Sequence, residues 1–348
     1  MNYNSKIKNK DLISICKRMS ILLKSGTEIT KILKILNSSQ SNKNKKIISK
    51  ININIQNGNS ITKSFEETKT FTDFFINMIK VGEVTGTLDQ IMEDLSQYYS
   101  KESQIKKKIV NSLTYPIIII ITLLASMLFM LIFVMPNFES LYEMNNVELV
   151  GITHNIMNLS KLVREEPLKL IVGVSTFILL VTIICTLKTK NISKIKAIIK
   201  IKTPYIGKVM LMILTTRMCR SLEILIKSGV NIIDAIDISA KVVDNILIKE
   251  KLEITKDSIQ KGNDISIAME KANIFPKTFI TMIEIGEESG SLDYTLKITN
   301  DFYTEELNSS LEQMTKMIEP ILTIIIGLII GIFIIAMVIP MYDVINNF

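Results

Sequence analysis

The sequence predicts an all-α membrane protein with two duplicated cytoplasmic helical-bundle domains of about six helices each and three transmembrane helices. Three observations carry this reading. Three apolar runs have membrane-spanning length, the segments between them have helical rather than alternating periodicity, and the chain repeats itself at a spacing of about 204 residues. The 348 residues are 47% hydrophobic, and the excess is gathered into those runs, leaving a polar, lysine-rich remainder. That division predicts a membrane protein with sizeable water-exposed parts.

Residues 1–112 are expected to form the first cytoplasmic domain. Lys6, Lys8, Lys10, Asp11, Lys17 and Arg18 interrupt any apolar core of a secretory signal near the start, so none is expected there. Residues 11–24 place Leu12, Ile15, Met19, Leu22 and Leu23 on one helical face, with Gly26 at the stop. Further amphipathic stretches at about 28–37, 43–56, 60–68, 73–84 and 87–112 complete six helices. Thr87, and Ser291 in the second half, suit the start of the last helix as N-caps. Short connections favour antiparallel neighbours and hence a bundle.

The first span, within 113–136, is the run Ile117–Met135 between Pro116 and Pro136. The second occupies 168–187, and the third, within 317–340, is Ile321–Ile339 between Pro320 and Pro340. Each is close to the ~20 residues that cross about 30 Å of hydrocarbon. Lys101 and Lys106–Lys108 precede span one, and Lys188, Lys190, Lys194, Lys196, Lys200 and Lys202 follow span two. The 137–167 loop holds mainly acids, and the 341–348 tail has no Lys or Arg. By the positive-inside rule, 1–112 and 188–316 face the cytoplasm, while loop and tail lie outside.

The repeat pairs Cys16–Gly26 (CKRMSILLKSG) with Cys219–Gly229 (CRSLEILIKSG), and Met78–Asp89 (MIKVGEVTGTLD) with Met282–Asp293 (MIEIGEESGSLD). Gly58-Asn59 matches Gly262-Asn263, Phe71 and Phe75 match Phe275 and Phe279, and Pro116 and Pro136 match Pro320 and Pro340. The repeated unit is therefore a helical domain plus the span that follows it. Span two returns the chain so that both domains share one compartment.

Several chemistries are excluded. No Gly-x-x-x-x-Gly-Lys-Ser/Thr loop exists, and the turns Gly82–Gly86 and Gly286–Gly290 carry acids that repel phosphate. The net charge of +7 comes without a nucleic-acid motif, so anionic lipid is its expected counterpart. Cys16, Cys185 and Cys219 have neither disulfide nor zinc spacing, and His154 stands alone. Asp89 and Asp293 suit the first turn of a helix, where the macrodipole favours negative charge.

Two readings of the glycine turns stand side by side. Glu83, Glu287 and Glu288 are either acids offered to a basic patch on a partner, or acids that are merely solvated or cap the following helix. Gly82, Gly86, Gly286 and Gly290 shape a tight corner between helices in both. Gly327 and Gly331 form a small-xxx-small pattern open to a second helix. Glu319 either pairs with a polar group in a neighbouring membrane helix or sits at headgroup level.

The Lys-Ser-Gly turn, the Gly-Glu-x-x-Gly-x-Leu turn of each half and the proline-headed span after each resemble the F-type platform proteins of type II secretion, whose relatives assemble type IV pili and competence pseudopili. Glu319-Pro320, where the first half has Tyr115-Pro116, adds an asymmetry typical of that family. The resemblance covers nearly the whole chain. It implies an inner-membrane scaffold without a catalytic site, cofactor or metal. Its implied partners are a hexameric assembly ATPase, pilin or pseudopilin transmembrane segments, other inner-membrane assembly subunits and further copies of itself. Gly82, Glu83, Gly86, Gly286, Glu287, Gly290, Pro116, Glu319 and Pro320 are its candidate motif and docking residues. An oligomeric channel or transporter subunit is the alternative, disfavoured by the absence of charges within the spans.

Overall fold

The computed structural model describes residues 7–38, 41–144, 151–169, 172–173, 175–176, 206–243 and 246–346. Most of the expected second span, with Cys185, and the 188–205 segment lie outside the described residues. The described residues are helical, without a strand.

The chain divides into two compact units, residues 1–108 with 193–310 and residues 109–192 with 311–348. The first unit holds both repeats. Repeat one comprises α1 (Asn9–Lys24), α2 (Ile29–Ser38), α3 (Asn42–Gln56), α4 (Ile61–Glu66), α5 (Asp73–Thr85) and the start of α6 (Leu88–Phe129). Apolar periodicity explains α1, because Leu12, Ile15, Cys16 and Met19 fall on one face and are buried. Phe65, Phe71 and Phe75 fill the core beneath α4 and α5, with the Phe71 and Phe75 rings stacked at 4.6 Å. Cys16 and its repeat equivalent Cys219 are fully buried, and burial pushes both thiols far above their ordinary pKa. They pack as small apolar groups.

Repeat two has the same six elements after the undescribed segment: α9 (Ile206–Lys227), α10 (Ile232–Val242), α11 (Ile246–Gln260), α12 (Ile265–Ala272), α13 (Lys277–Glu288) and α14 (Leu292–Asn346). Phe275 and Phe279 repeat the ring pair of Phe71 and Phe75, again at 4.6 Å. Helix α5 packs against α10. Along α6 and α9, Glu102 accepts two 3.1 Å bonds from Arg217 Nε and one of 2.8 Å from Nη2, and Lys227 stands 3.7 Å from Asp94. The ion pairs run in opposite chain directions, so these helices are antiparallel where the repeats meet.

The second unit contains the apolar part of α6, the short helices α7 (Met135–Met144) and α8 (Ile152–Glu165), and the apolar part of α14. Two described helical stretches, Leu88–Met144 and Leu292–Tyr342, are long and apolar enough to cross a membrane. Their apolar windows are only 6% and 17% buried, which suits a lipid-facing surface rather than a protein core. Pro116 and Pro320 lie inside continuous helix. The segment expected as a connection, 137–167, is largely helical.

Two prolines explain how those short helices are held. Before Pro136, residues Met130–Val134 widen into a π turn, in which Met135 N donates to Met130 O rather than to Leu131 O. The next candidate donor to Leu131 O is Pro136, which has no N–H. Ser160 Oγ on α8 donates to that carbonyl at 2.6 Å. Pro340 likewise removes the helical donor to Ala336 O, and Thr153 Oγ1 donates there at 3.0 Å. Tyr142 Oη donates to the adjoining Met337 O at 2.5 Å. Ser160 and Thr153 are two helical turns apart on one face of α8, so one helix completes the backbone of both proline-interrupted spans. Leu131, Met135, Tyr142, Met157 and Phe333 pack around these bonds. Glu139 accepts from Arg164 at 2.6 Å and from Lys161 at 2.7 Å beside them.

Candidate functional site

Each glycine–glutamate motif sits where the fifth helix of a repeat turns into the sixth. Gly82 lies on α5 against the start of α6, and a Cβ there would come within 2.9 Å of Ile91 Cγ1 and 3.0 Å of Leu88 Cα. Gly286 on α13 meets Thr295 Oγ1 at 2.1 Å and Leu292 Cα at 3.0 Å in the same test. Only glycine lets the two backbones approach this closely. Four residues later Gly86 and Gly290 adopt φ of 71° and 64°. Their left-handed conformation ends one helix and reverses the chain into the next.

Glu83 and Glu287 point back at an earlier helix of their own repeat. Glu83 Oε1 accepts from Ile61 N at 2.6 Å, and Oε2 accepts from Thr62 N at 2.9 Å and Thr62 Oγ1 at 2.5 Å. Glu287 Oε1 accepts from Ile265 N at 2.7 Å, and Oε2 accepts from Ser266 N and Oγ, both at 3.1 Å. Each carboxylate therefore bridges the first two amides of α4 or α12, where orphan N–H groups and the macrodipole favour an anion. Burial pushes the Glu83 carboxyl up, but the bonds from Thr62 and Ile61 outweigh it and hold its pKa below the ordinary value. Both acids therefore cap the preceding helix of their own repeat, not the following helix that the sequence suggested.

The exposed tip of each corner differs. Val84 occupies it in repeat one and Glu288 in repeat two, and both are exposed. Pro116, Glu319 and Pro320 belong to the second unit, with Glu319 exposed. Among the described residues no group of acids, histidines and cysteines is arranged to hold a metal ion. Sequence reasoning missed the partners of Glu83 and Glu287. The available signal was a hydroxyl residue, Thr62 or Ser266, at equivalent positions 21 residues before each acid.

The duplicated corner, each copy followed by a helix that continues into an apolar stretch, coincides with a known profile. That of the type II secretion system protein F family matches residues 15–136 and 218–340, one copy per repeat. The chain belongs to this family. At 28% identity it is similar over 97% of its length to the type IV pilus assembly protein PilC of Myxococcus xanthus, covering 81% of that protein. It is also 28% identical over 98% of its length to PilC of Pseudomonas aeruginosa, covering 91%. The type II secretion system protein F of Xanthomonas campestris pv. campestris is 28% identical over 97% of this chain and 84% of its own. The chain is thus an inner-membrane platform protein of the pilus and type II secretion class.

Proposed function

We propose that this chain couples a cytoplasmic hexameric assembly ATPase to the assembly of pilin or pseudopilin filaments, without catalysis of its own. The observation that supports this most directly is the continuity of α6 and α14. In each repeat the last helix of the bundle is also the apolar, span-length helix. A push or turn imposed on either bundle then reaches the bilayer without crossing a loop.

In this reading residues 1–112 and 188–316 face the cytoplasm, in line with their lysine-rich flanks, and the α7–α8 region lies outside. Glu83 and Glu287 hold the corners in shape, and the exposed Glu288 is the carboxylate offered to a basic patch on the ATPase. Glu319, exposed next to Pro320 at the start of the third apolar stretch, pairs with an amino or polar group of a pilin transmembrane segment.

The test is co-purification of the assembly ATPase with the full-length chain from detergent-solubilised membranes, alongside filament counts in cells lacking the chain. ATPase retained by the wild type, reduced at least several-fold by Glu288→Lys, with filaments lost on deletion, is the expected result. Filament assembly undiminished by deletion would overturn the proposal. Unreduced capture by Glu288→Lys would remove that acid from the docking surface.

A further inference from the structure

The contact between the two repeats uses unlike faces. Repeat one contributes α5 and α6, whereas repeat two contributes α9 and α10. Each repeat therefore carries a second, equivalent face that this contact leaves exposed: α1 and α2 on repeat one, α13 and α14 on repeat two.

Burial shows this position by position. Tyr98 on α6 is 5% exposed, and its repeat equivalent Phe302 on α14 is 46% exposed. Their surroundings on the helix are alike, since Tyr98 stands edge-on to Tyr99 and Phe302 edge-on to Tyr303, both at 5.2 Å. Ile238 on α10 is 9% exposed, against 43% for Ile35 on α2. Ile224 on α9 is buried and Ile21 on α1 is exposed, while Asp94 on α6 is buried and Ile298 on α14 is exposed. Tyr294, Ile298 and Phe302 form an exposed apolar stripe at four-residue intervals along α14.

Charge complements the two exposed faces. The groove between α5 and α10 is lined by Lys80 from repeat one and by Asp234, Asp237 and Lys241 from repeat two, with Lys241 paired to Asp237 at 2.8 Å. At the equivalent exposed positions the signs are exchanged on both sides, with Glu284 on α13 and Lys31 and Lys34 on α2. Lys17 on α1 and Asp301 and Glu305 on α14 extend the contrast, all exposed, while Lys24 on α1 pairs with Glu93 of its own repeat. A swap on one side alone would give like charges. A swap on both preserves the match.

We infer that the α13–α14 face of one copy docks on the α1–α2 face of a second copy, in the arrangement that joins the two repeats within one chain but with Glu306 against Ser14 and Ile298 against Lys24 in place of its two ion pairs. The interface is heterologous, with unlike faces meeting. The inference does not rest on ATPase docking, although Glu288, the equivalent of the groove residue Val84, lies at the edge of the same face, so that a second copy and the ATPase would compete there; its test reads only copies of this chain.

Asp94 and Lys227 define the pair to probe, because their equivalents across the new interface are Ile298 and Lys24. Full-length Ile298→Cys and Lys24→Cys chains, each also carrying Cys185→Ser and distinct tags, are co-expressed and oxidised in membrane vesicles. The expected result is a mixed-tag disulfide dimer at least tenfold above that from either variant alone. Adding Lys31→Glu with Lys34→Glu should lower the yield several-fold, and Glu284→Lys in the other chain should raise it again. Equal dimer from a single variant would show that like faces meet and would overturn the inference. No mixed dimer would also overturn it, with α14 then assigned to a different protein.

Discussion

Thr153 donates its hydroxyl to Ala336 O at 3.0 Å, the carbonyl that Pro340 leaves without a helical donor. Ser160 does the same for Leu131 O ahead of Pro136 at 2.6 Å. Replacing Thr153 with Val preserves its shape and leaves the carbonyl unsatisfied, which costs about 1–3 kcal/mol. Thr153→Val and Ser160→Ala are each expected to lower the melting temperature of the full-length protein in detergent. Unchanged melting in both would mean that solvent or lipid headgroups satisfy these carbonyls equally well.

Glu83 ties α5 to the start of α4. Its folded-state pKa is lowered, so the stabilisation is complete above the unfolded value of about 4.3 and is lost as pH falls through the folded one. Glu83→Gln should reduce stability at neutral pH by about 1–2 kcal/mol and flatten the acid limb of the stability curve. Denaturant titrations between neutral and acid pH measure both. Retention of the wild-type acid limb in this variant would assign it to other carboxylates.

The close approach at Gly82 and Gly286 leaves no room for a methyl group. Gly82→Ala and Gly286→Ala are each expected to destabilise the protein by about 1–3 kcal/mol through overpacking against the following helix. The backbone neighbours Leu88 Cα and Leu292 Cα, both at 3.0 Å, cannot move aside as a side chain can. Gly86→Ala should cost about 1 kcal/mol for a different reason, its positive φ. Chemical denaturation of the three variants checks the ranking.

Between the repeats, the paired Glu102 and Arg217 should show coupling of about 1–2 kcal/mol in a double-mutant cycle of Glu102→Gln and Arg217→Gln. Coupling near zero would transfer the cohesion of the repeats to the α5–α10 packing.

Asp94 behaves in the opposite sense to Glu83. Burial raises its carboxyl pKa more than Lys227 and Gln90 lower it. Its contribution to stability is therefore full below the unfolded pKa and declines as pH rises through the raised folded value. Asp94→Asn should remove that decline, so that the variant gains on the wild type as pH rises. Parallel pH–stability curves for the two proteins would refute this.

Much of the helical layout was legible in the sequence because periodicity is local. The stretches expected at 28–37 and 43–56 are α2 (Ile29–Ser38) and α3 (Asn42–Gln56). The repeat was legible for the same reason, since Gly86 and Gly290 answer identical backbone demands. The targets of Glu83 and Glu287 were not legible. They lie one helix earlier across a tertiary contact, and only the hydroxyl residue kept 21 positions before each acid points there. Helix α8 was missed because its polar Thr153 and Ser160 resemble loop residues until the orphaned carbonyls they serve are seen.

The glycine–glutamate corner is a joint that needs nothing outside its own repeat. Any sequence bearing it acquires the same bend and the same cap, whatever the machine it serves. The motif thus announces a shape rather than an address. On the function proposed above, recognition of one partner over another would fall to positions where the halves have diverged: Lys80 against Glu284, Val84 against Glu288, Tyr115 against Glu319. Duplication supplied two identical hinges, and a division of labour between the halves is written in what was changed around them.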